Sequence, residues 1–184
     1  MRVITGSCRG KKLKTLESLD TRPTTDMVKE AVFSIIQFDV PASSVLDLFA
    51  GSGQMGIEAL SRGASHCVFV DSNPEAVAIV KDNVDSCGFN KESRVLCMDS
   101  LEYLKVAKAR LDIVFIDPPY RKGIVEKALE LVESKLNDGA IIVCEHEKEL
   151  ELGESYGRLR LHKRYKYGKT ALTVYKIPMK EVDY

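Results

Sequence analysis

Short runs dominated by Val, Ile, Leu and Phe recur at residues 44–49, 66–71, 94–98, 111–117 and 140–145. Runs this brief and this apolar predict strands buried on both faces. Between them the apolar positions fall at helical spacing over 54–62, 74–86, 101–107 and 124–136. Gly63 and Gly139 stand where helix C-termini need caps, and Pro74 after Asn73 suits a first helical position. Strand–helix alternation of this length predicts an α/β fold: a mostly parallel sheet with helices on both faces.

Both flanks break the alternation. Residues 2–5 and 12–16, separated by a Gly/Ser/Cys turn, are expected to pair as a small basic hairpin. A helix follows over 26–38, with Val28, Ala31, Val32, Ile35 and Ile36 as its apolar stripe and Thr24 or Thr25 as cap. At the other end, 158–165 alternates Leu with basic residues, and 170–177 follows Tyr167-Gly168-Lys169. These two segments predict an antiparallel closing hairpin at one sheet edge. The expected organisation is therefore a substrate-facing extension over 1–40 and a main domain over 41–184.

Composition narrows the class. Of 184 residues, 45% are hydrophobic and 29% charged, an ordinary globular mixture. No apolar run approaches the roughly 18 residues of a membrane span, and the start of the chain lacks the apolar stretch of a signal peptide, so a cytoplasmic location is expected. Five scattered cysteines without CxxC spacing read as reduced thiols, and three distant histidines give no reason to expect a metal. Net charge is zero, but its distribution is uneven. Arg2, Arg9, Lys11, Lys12 and Lys14 lie in an acid-free run, as do Arg158, Arg160, Lys163, Arg164, Lys166 and Lys169. Two such runs favour a phosphate-bearing partner.

The chemistry is concentrated in two motifs. VLDLFAGSGQMG puts Gly51, Gly53 and Gly56 in a GxGxxG loop between a strand and a helix, where backbone N–H groups can approach a ligand. Asp71, twenty residues after Gly51, ends the next strand and can accept the hydroxyls of an adenosine ribose. Asp47, Asp71, Asp99 and Asp117 all fall near the carboxyl ends of the first four strands, which line the crevice of an open α/β sheet. Such a carboxylate-lined crevice would repel the pyrophosphate of NAD and accommodate S-adenosylmethionine, which carries a sulfonium and an ammonium. Asp99, just before Ser100, reads equally as a helix cap. The second motif is Asp117-Pro118-Pro119-Tyr120 after the strand LDIVFI. The Asp117 carboxylate and the Pro118 carbonyl can accept the two N–H bonds of a base amine, the prolines stiffen the turn, and Tyr120 offers a stacking face.

With these residues in view, the chain resembles the bacterial small-subunit rRNA guanine-N2 methyltransferases of the RsmD type. MRVITGSCRGKKLKT and TRPTTDMVKEAVFSII are similar to that family's amino-terminal signature, LDLFAGSGQMGIEALSRGA to its cofactor loop, VFVDSNPEA to its ribose strand, FIDPPY to its catalytic turn and YGKTALTVYK to its closing hairpin. The resemblance implies a Rossmann-like class I fold and methyl transfer from S-adenosylmethionine to the N2 amine of a guanine in 16S rRNA. With no separate recognition domain to read sequence, the guanine is expected to be selected by the shape of a partly assembled particle. Candidate cofactor residues are Asp47, Gly51, Gly53, Gly56, Asp71, Asp99 and Ser100. Asp117, Pro118, Pro119 and Tyr120 would hold the base, and Arg9, Lys11, Lys12, Arg22 and Thr24 would meet the RNA at the rim of the crevice. Met27 departs from the family, whose members usually carry arginine there. The turn motif is shared with adenine-N6 methyltransferases, and a non-catalytic RNA-binding assembly factor is the reading from outside the enzymes.

Overall fold

The computed structural model describes residues 1–16, 26–119 and 123–179. Eight strands form one sheet: β1 (Ser44–Leu48), β2 (His66–Asp71), β3 (Ser93–Cys97), β4 (Leu111–Ile116), β5 (Leu136–Glu147), β6 (Ser155–Tyr156), β7 (Leu159–Tyr167) and β8 (Thr170–Lys176). Their order is β3-β2-β1-β4-β5-β8-β7-β6. The first five strands are parallel, and β8, β7 and β6 add antiparallel pairings at one edge. Among the described residues five α-helices complete the fold: α1 (Asp26–Ile35), α2 (Gln54–Ser61), α3 (Pro74–Cys87), α4 (Ser100–Val106) and α5 (Ile124–Val132). None of the described helices is long and apolar enough to cross a membrane.

Strand side chains alternate between faces, so the sheet has two cores. Phe69, Phe115, Val143 and Val174 meet Val32 and Phe33 of α1, Ile57 of α2 and Val80 of α3. Leu46, Val70, Ile116 and Ile142 meet Leu104 of α4 and Leu129 and Val132 of α5. The apolar runs thus become strands because each residue, odd or even, has a covered face to enter.

Three expectations are corrected. The helix expected over 124–136 stops at Val132 and tightens into a 3-10 turn, Glu133–Lys135, because Leu136 already pairs with Leu111. Gly139 therefore caps no helix. Its φ of 79° turns the chain inside an irregularity of β5, where the register jumps from Leu111–Leu136 to Ile113–Ile141. On α1 the buried set is Val28, Lys29, Val32 and Phe33, with Ile36 just beyond, while Ala31 and Ile35 are half-buried. The amino-terminal hairpin is slight: one antiparallel bridge, Arg2–Lys12, with the N–H of Val3 donating to the Lys11 carbonyl and that of Gly10 to the Val3 carbonyl.

This arm is fastened to α2 by a buried charge. Glu58 accepts the N–H groups of Ile4 (2.8 Å) and Thr5 (3.0 Å) and the Nε–H of Arg62 (2.8 Å). Lys29 Nζ lies 3.7 Å from Glu58 and donates to the Arg2 carbonyl at 2.6 Å. Burial pushes the Lys29 pKa down, and the Glu58 charge opposes that shift.

Candidate active site

The sheet order reverses between β1 and β4, which opens a crevice at the carboxyl ends of the strands. After β1 the backbone turns sharply: Phe49, Gly51 and Gly53 have φ values of 66°, 55° and 76°. Gly53 caps α2, and its positive φ is the conformation a side chain resists. A Cβ on Gly51 would meet nothing within 4 Å, so this part of the loop faces open space. Gly56 does something else. A Cβ there would run into Phe69 Cε1 and Cys67 Sγ, so its bare backbone lets α2 pack onto β2 instead of lining the crevice.

Asp71 is built into the loop. One carboxylate oxygen accepts the Gly51 N–H and the other the Asn73 N–H, both at 2.8 Å. The side chain is held half-exposed, and each oxygen retains a lone pair for a ligand hydroxyl. Asp47 was expected on the crevice wall but is buried, its carboxylate accepting the Gly56 N–H at 2.9 Å. Burial pushes its carboxyl up to about 7; the Gly56 N–H opposes the shift and the Asp71 charge adds to it. Asp47 therefore supports the loop from beneath. Asp99 is exposed and caps α4, accepting the Glu102 N–H at 2.9 Å, and Ser100 is buried as the first residue of that helix. The helix-cap reading of Asp99 is the geometry observed.

Gln54 is a neighbour the sequence motif did not single out. As the first residue of α2 it is buried, and its Oε1 has no hydrogen-bond partner among the described residues. An orphaned buried acceptor is costly unless a ligand donor satisfies it. The half-exposed Asp71 oxygens suit a ligand that brings hydroxyl donors. No group of three metal-ligating side chains is gathered among the described residues.

Asp117 follows β4 directly and lines a pocket with Val32, Met55, Phe115, Ile116, Val143, Glu145 and Leu172. Burial raises its carboxyl well above the ordinary carboxylate range, and the charges of Glu145 and Asp47 raise it further. Pro118 is buried and Pro119 exposed. Tyr120, Arg22 and Thr24 lie outside the described residues.

The basic residues separate into two groups. Arg9, Lys11 and Lys12 are exposed, but the tip of their arm is tied to Ser61, the last residue of α2, by the N–H groups of Ser7 and Cys8. That end lies about 12 Å, one eight-residue helix, from the glycine loop, so Arg9 is not at the crevice rim as expected. Only the open ends of the arm return there. Met1 Sδ lies 3.5 Å from Ser52 Oγ, and Asn83 Nδ2 donates to the Lys14 and Ser52 carbonyls at 3.0 and 2.9 Å. In the other run, Arg158 is held by Glu133 (2.6 Å) and Asp138 (3.0 Å). Lys166 and Lys169 are exposed beside the Glu147–Thr170 pair, at the same end of the sheet as Asp117. Met27 is exposed on α1.

The comparisons with known proteins agree with this architecture. The family model described as conserved hypothetical protein 95 matches residues 1–176. The chain is 41% identical over 181 residues to "Putative rRNA methyltransferase YlbH" of Bacillus subtilis (strain 168), covering 96% of this chain and 98% of the relative. It is 33% identical over 177 residues to Ribosomal RNA small subunit methyltransferase D of Escherichia coli (strain K12), covering 95% and 89%. The solved structure of yhhF from Escherichia coli matches with a TM-score of 0.87 at 32% identity, covering 98% and 99%. Because the match runs from the amino-terminal arm through β8, the chain belongs to the conserved hypothetical protein 95 family, the RsmD family.

Proposed function

We propose that this chain transfers a methyl group from S-adenosylmethionine to the exocyclic N2 amine of a guanine in small-subunit ribosomal RNA. One observation carries the reading: the Asp117-Pro118 turn stands across the switch point from a glycine loop to which Asp71 is hydrogen-bonded. S-adenosylmethionine, when bound, supplies an electrophilic methyl on a sulfonium. Asp71 accepts the ribose hydroxyls, and Gln54 Oε1 offers an acceptor to the ammonium. Asp71 and Asp117 line the crevice with carboxyl groups and disfavour a phosphate-bearing cofactor.

An amine conjugated to a base is a poor nucleophile because its lone pair is drawn into the ring. Asp117 and the Pro118 carbonyl accept its two N–H bonds and favour the geometry that exposes the lone pair. The two prolines fix both acceptors before substrate arrives. Once methylated the nitrogen is strongly acidic, so Asp117 orients first and takes a proton second. Tyr120, next in the sequence, provides a ring for a flipped base. Residues 1–40 form an extension of a methyltransferase domain spanning 41–184, and the open ends of its arm face the substrate. The names of the relatives favour rRNA, and with little surface for reading bases the chain selects its guanine through the shape of a folded, partly assembled particle.

The test is to incubate the protein and S-adenosylmethionine with small-subunit particles and with naked rRNA from a strain lacking the gene, then analyse nucleoside digests by mass. N2-methylguanosine, formed better on particles, is the expected product. N6-methyladenosine would overturn the base assignment, and unmethylated RNA would overturn the function.

A further inference from the structure

The pocket at Asp117 contains a second carboxyl group to which the sequence motifs assign no chemistry. β4 and β5 run parallel with Ile116 opposite Cys144, so the next position along brings Asp117 beside Glu145. Neighbouring strands lie about 4.8 Å apart. Because side chains alternate, Phe115, Asp117, Val143 and Glu145 share one face, the face that Val32 and Met55 cover. On the other flank of β5, Glu145 pairs with Leu172 of β8. Among the described residues the remaining lining is apolar, so Asp117 and Glu145 are its polar side chains.

We propose that Glu145 selects guanine over adenine by accepting the N1–H of the target base while Asp117 accepts from its N2 amine. This assignment rests on the function proposed above. Guanine presents two adjacent donors on its pairing edge, N1–H and N2–H, which match two adjacent carboxylates. Adenine presents its N6 donor beside the N1 lone pair, and that lone pair would face an acceptor. A carboxylate against N1–H makes a charge-assisted hydrogen bond; against a lone pair in an apolar pocket it is repelled, so one residue both attracts the right base and rejects the wrong one. Burial raises the Asp117 carboxyl, and the neighbouring Glu145 charge raises it further, as their adjacency requires.

The experiment removes the N1–H from the substrate and Glu145 from the protein. The methylated guanosine is mapped first, and particles are then reconstituted with 2-aminopurine riboside at that position, which keeps the exocyclic amine and lacks N1–H. Wild type should prefer guanosine by about tenfold to a hundredfold in kcat/KM, the range of one charge-assisted hydrogen bond. Glu145→Ala should lose a similar factor on guanosine and little on 2-aminopurine, bringing the preference near one. Glu145→Gln, whose amide oxygen still accepts, should recover part of the guanosine rate. Unchanged S-adenosylmethionine affinity in both variants shows that the cofactor site is intact. A guanosine preference that survives in both variants overturns the role of Glu145 and leaves the proposed function standing. A wild type that methylates no guanosine N2 brings down both.

Discussion

Asp71 and Asp47 sit at the ends of adjacent strands, yet their hydrogen bonds send them to different tasks. Asp71, half-exposed, is held beside the glycine loop by two backbone N–H groups. Asp71→Ala should weaken S-adenosylmethionine binding by about 1–3 kcal/mol with the fold intact, as calorimetry would show. Asp47 instead holds α2 from below with a carboxyl raised to about 7. Its unfolded value is near 3.9, so between about pH 4 and 7 the native state binds more protons than the unfolded one. Stability from this group is therefore greatest in acid, falls as pH rises to about 7 and then levels. Asp47→Asn, which keeps an oxygen for the Gly56 N–H, should remove that slope and be the more stable protein above pH 7 by on the order of 1–3 kcal/mol. Urea midpoints of both proteins at about pH 5 and pH 8 check it. The sequence placed both aspartates at strand ends because spacing records position along the chain. It could not show which carboxylate turns under the helix, since that depends on a hydrogen bond to Gly56, nine residues on. Glu145 was harder still, being one of five glutamates between residues 145 and 154. Its partnership with Asp117 is a matter of cross-strand register.

At the scale of elements, the strands were the most legible part of the chain. Each core strand carries its own apolar run, and the structure moves their ends by a residue or two, except for β5. β5 begins at Leu136, earlier than its apolar run, because Asn137 and Gly139 lie in an irregularity whose pairing is made with Leu111 and Ile113. On α1 the stripe was misread at Lys29, a residue that belongs on the surface until a buried carboxylate meets it. The partner, Glu58, receives two backbone N–H groups, Arg62 and Lys29, so α1, α2 and the amino-terminal arm converge on one side chain. Glu58→Gln should destabilise the protein by about 3–5 kcal/mol, because it leaves Lys29 buried without a counter-charge. Hydrogen exchange would also quicken at the amides of Ile4 and Thr5. Exchange unchanged at those two amides would show that the arm is held elsewhere.

Over the whole molecule, the basic runs identified in the sequence are divided by the fold. Arg158 is spent on Glu133 and Asp138, and the Arg9 tip is one helix length from the crevice, whereas Lys166 and Lys169 stand at the end of the sheet where Asp117 lies. Replacing Lys166 and Lys169 together with alanine should weaken particle binding and flatten its salt dependence by roughly 0.7–0.9 in log–log slope per lost contact. Filter binding across a salt series is the measurement, and Arg158→Ala should leave that slope unchanged while lowering stability. The remaining feature is the amide of Asn83. Its nitrogen donates to Ser52 in the glycine loop and to Lys14 in the arm, and its oxygen accepts the Lys14 N–H. Loop and arm thus hang from one fastener, and thermodynamic reciprocity applies to it. The factor by which bound cofactor changes the affinity for RNA through this fastener is also the factor by which bound RNA changes the affinity for cofactor.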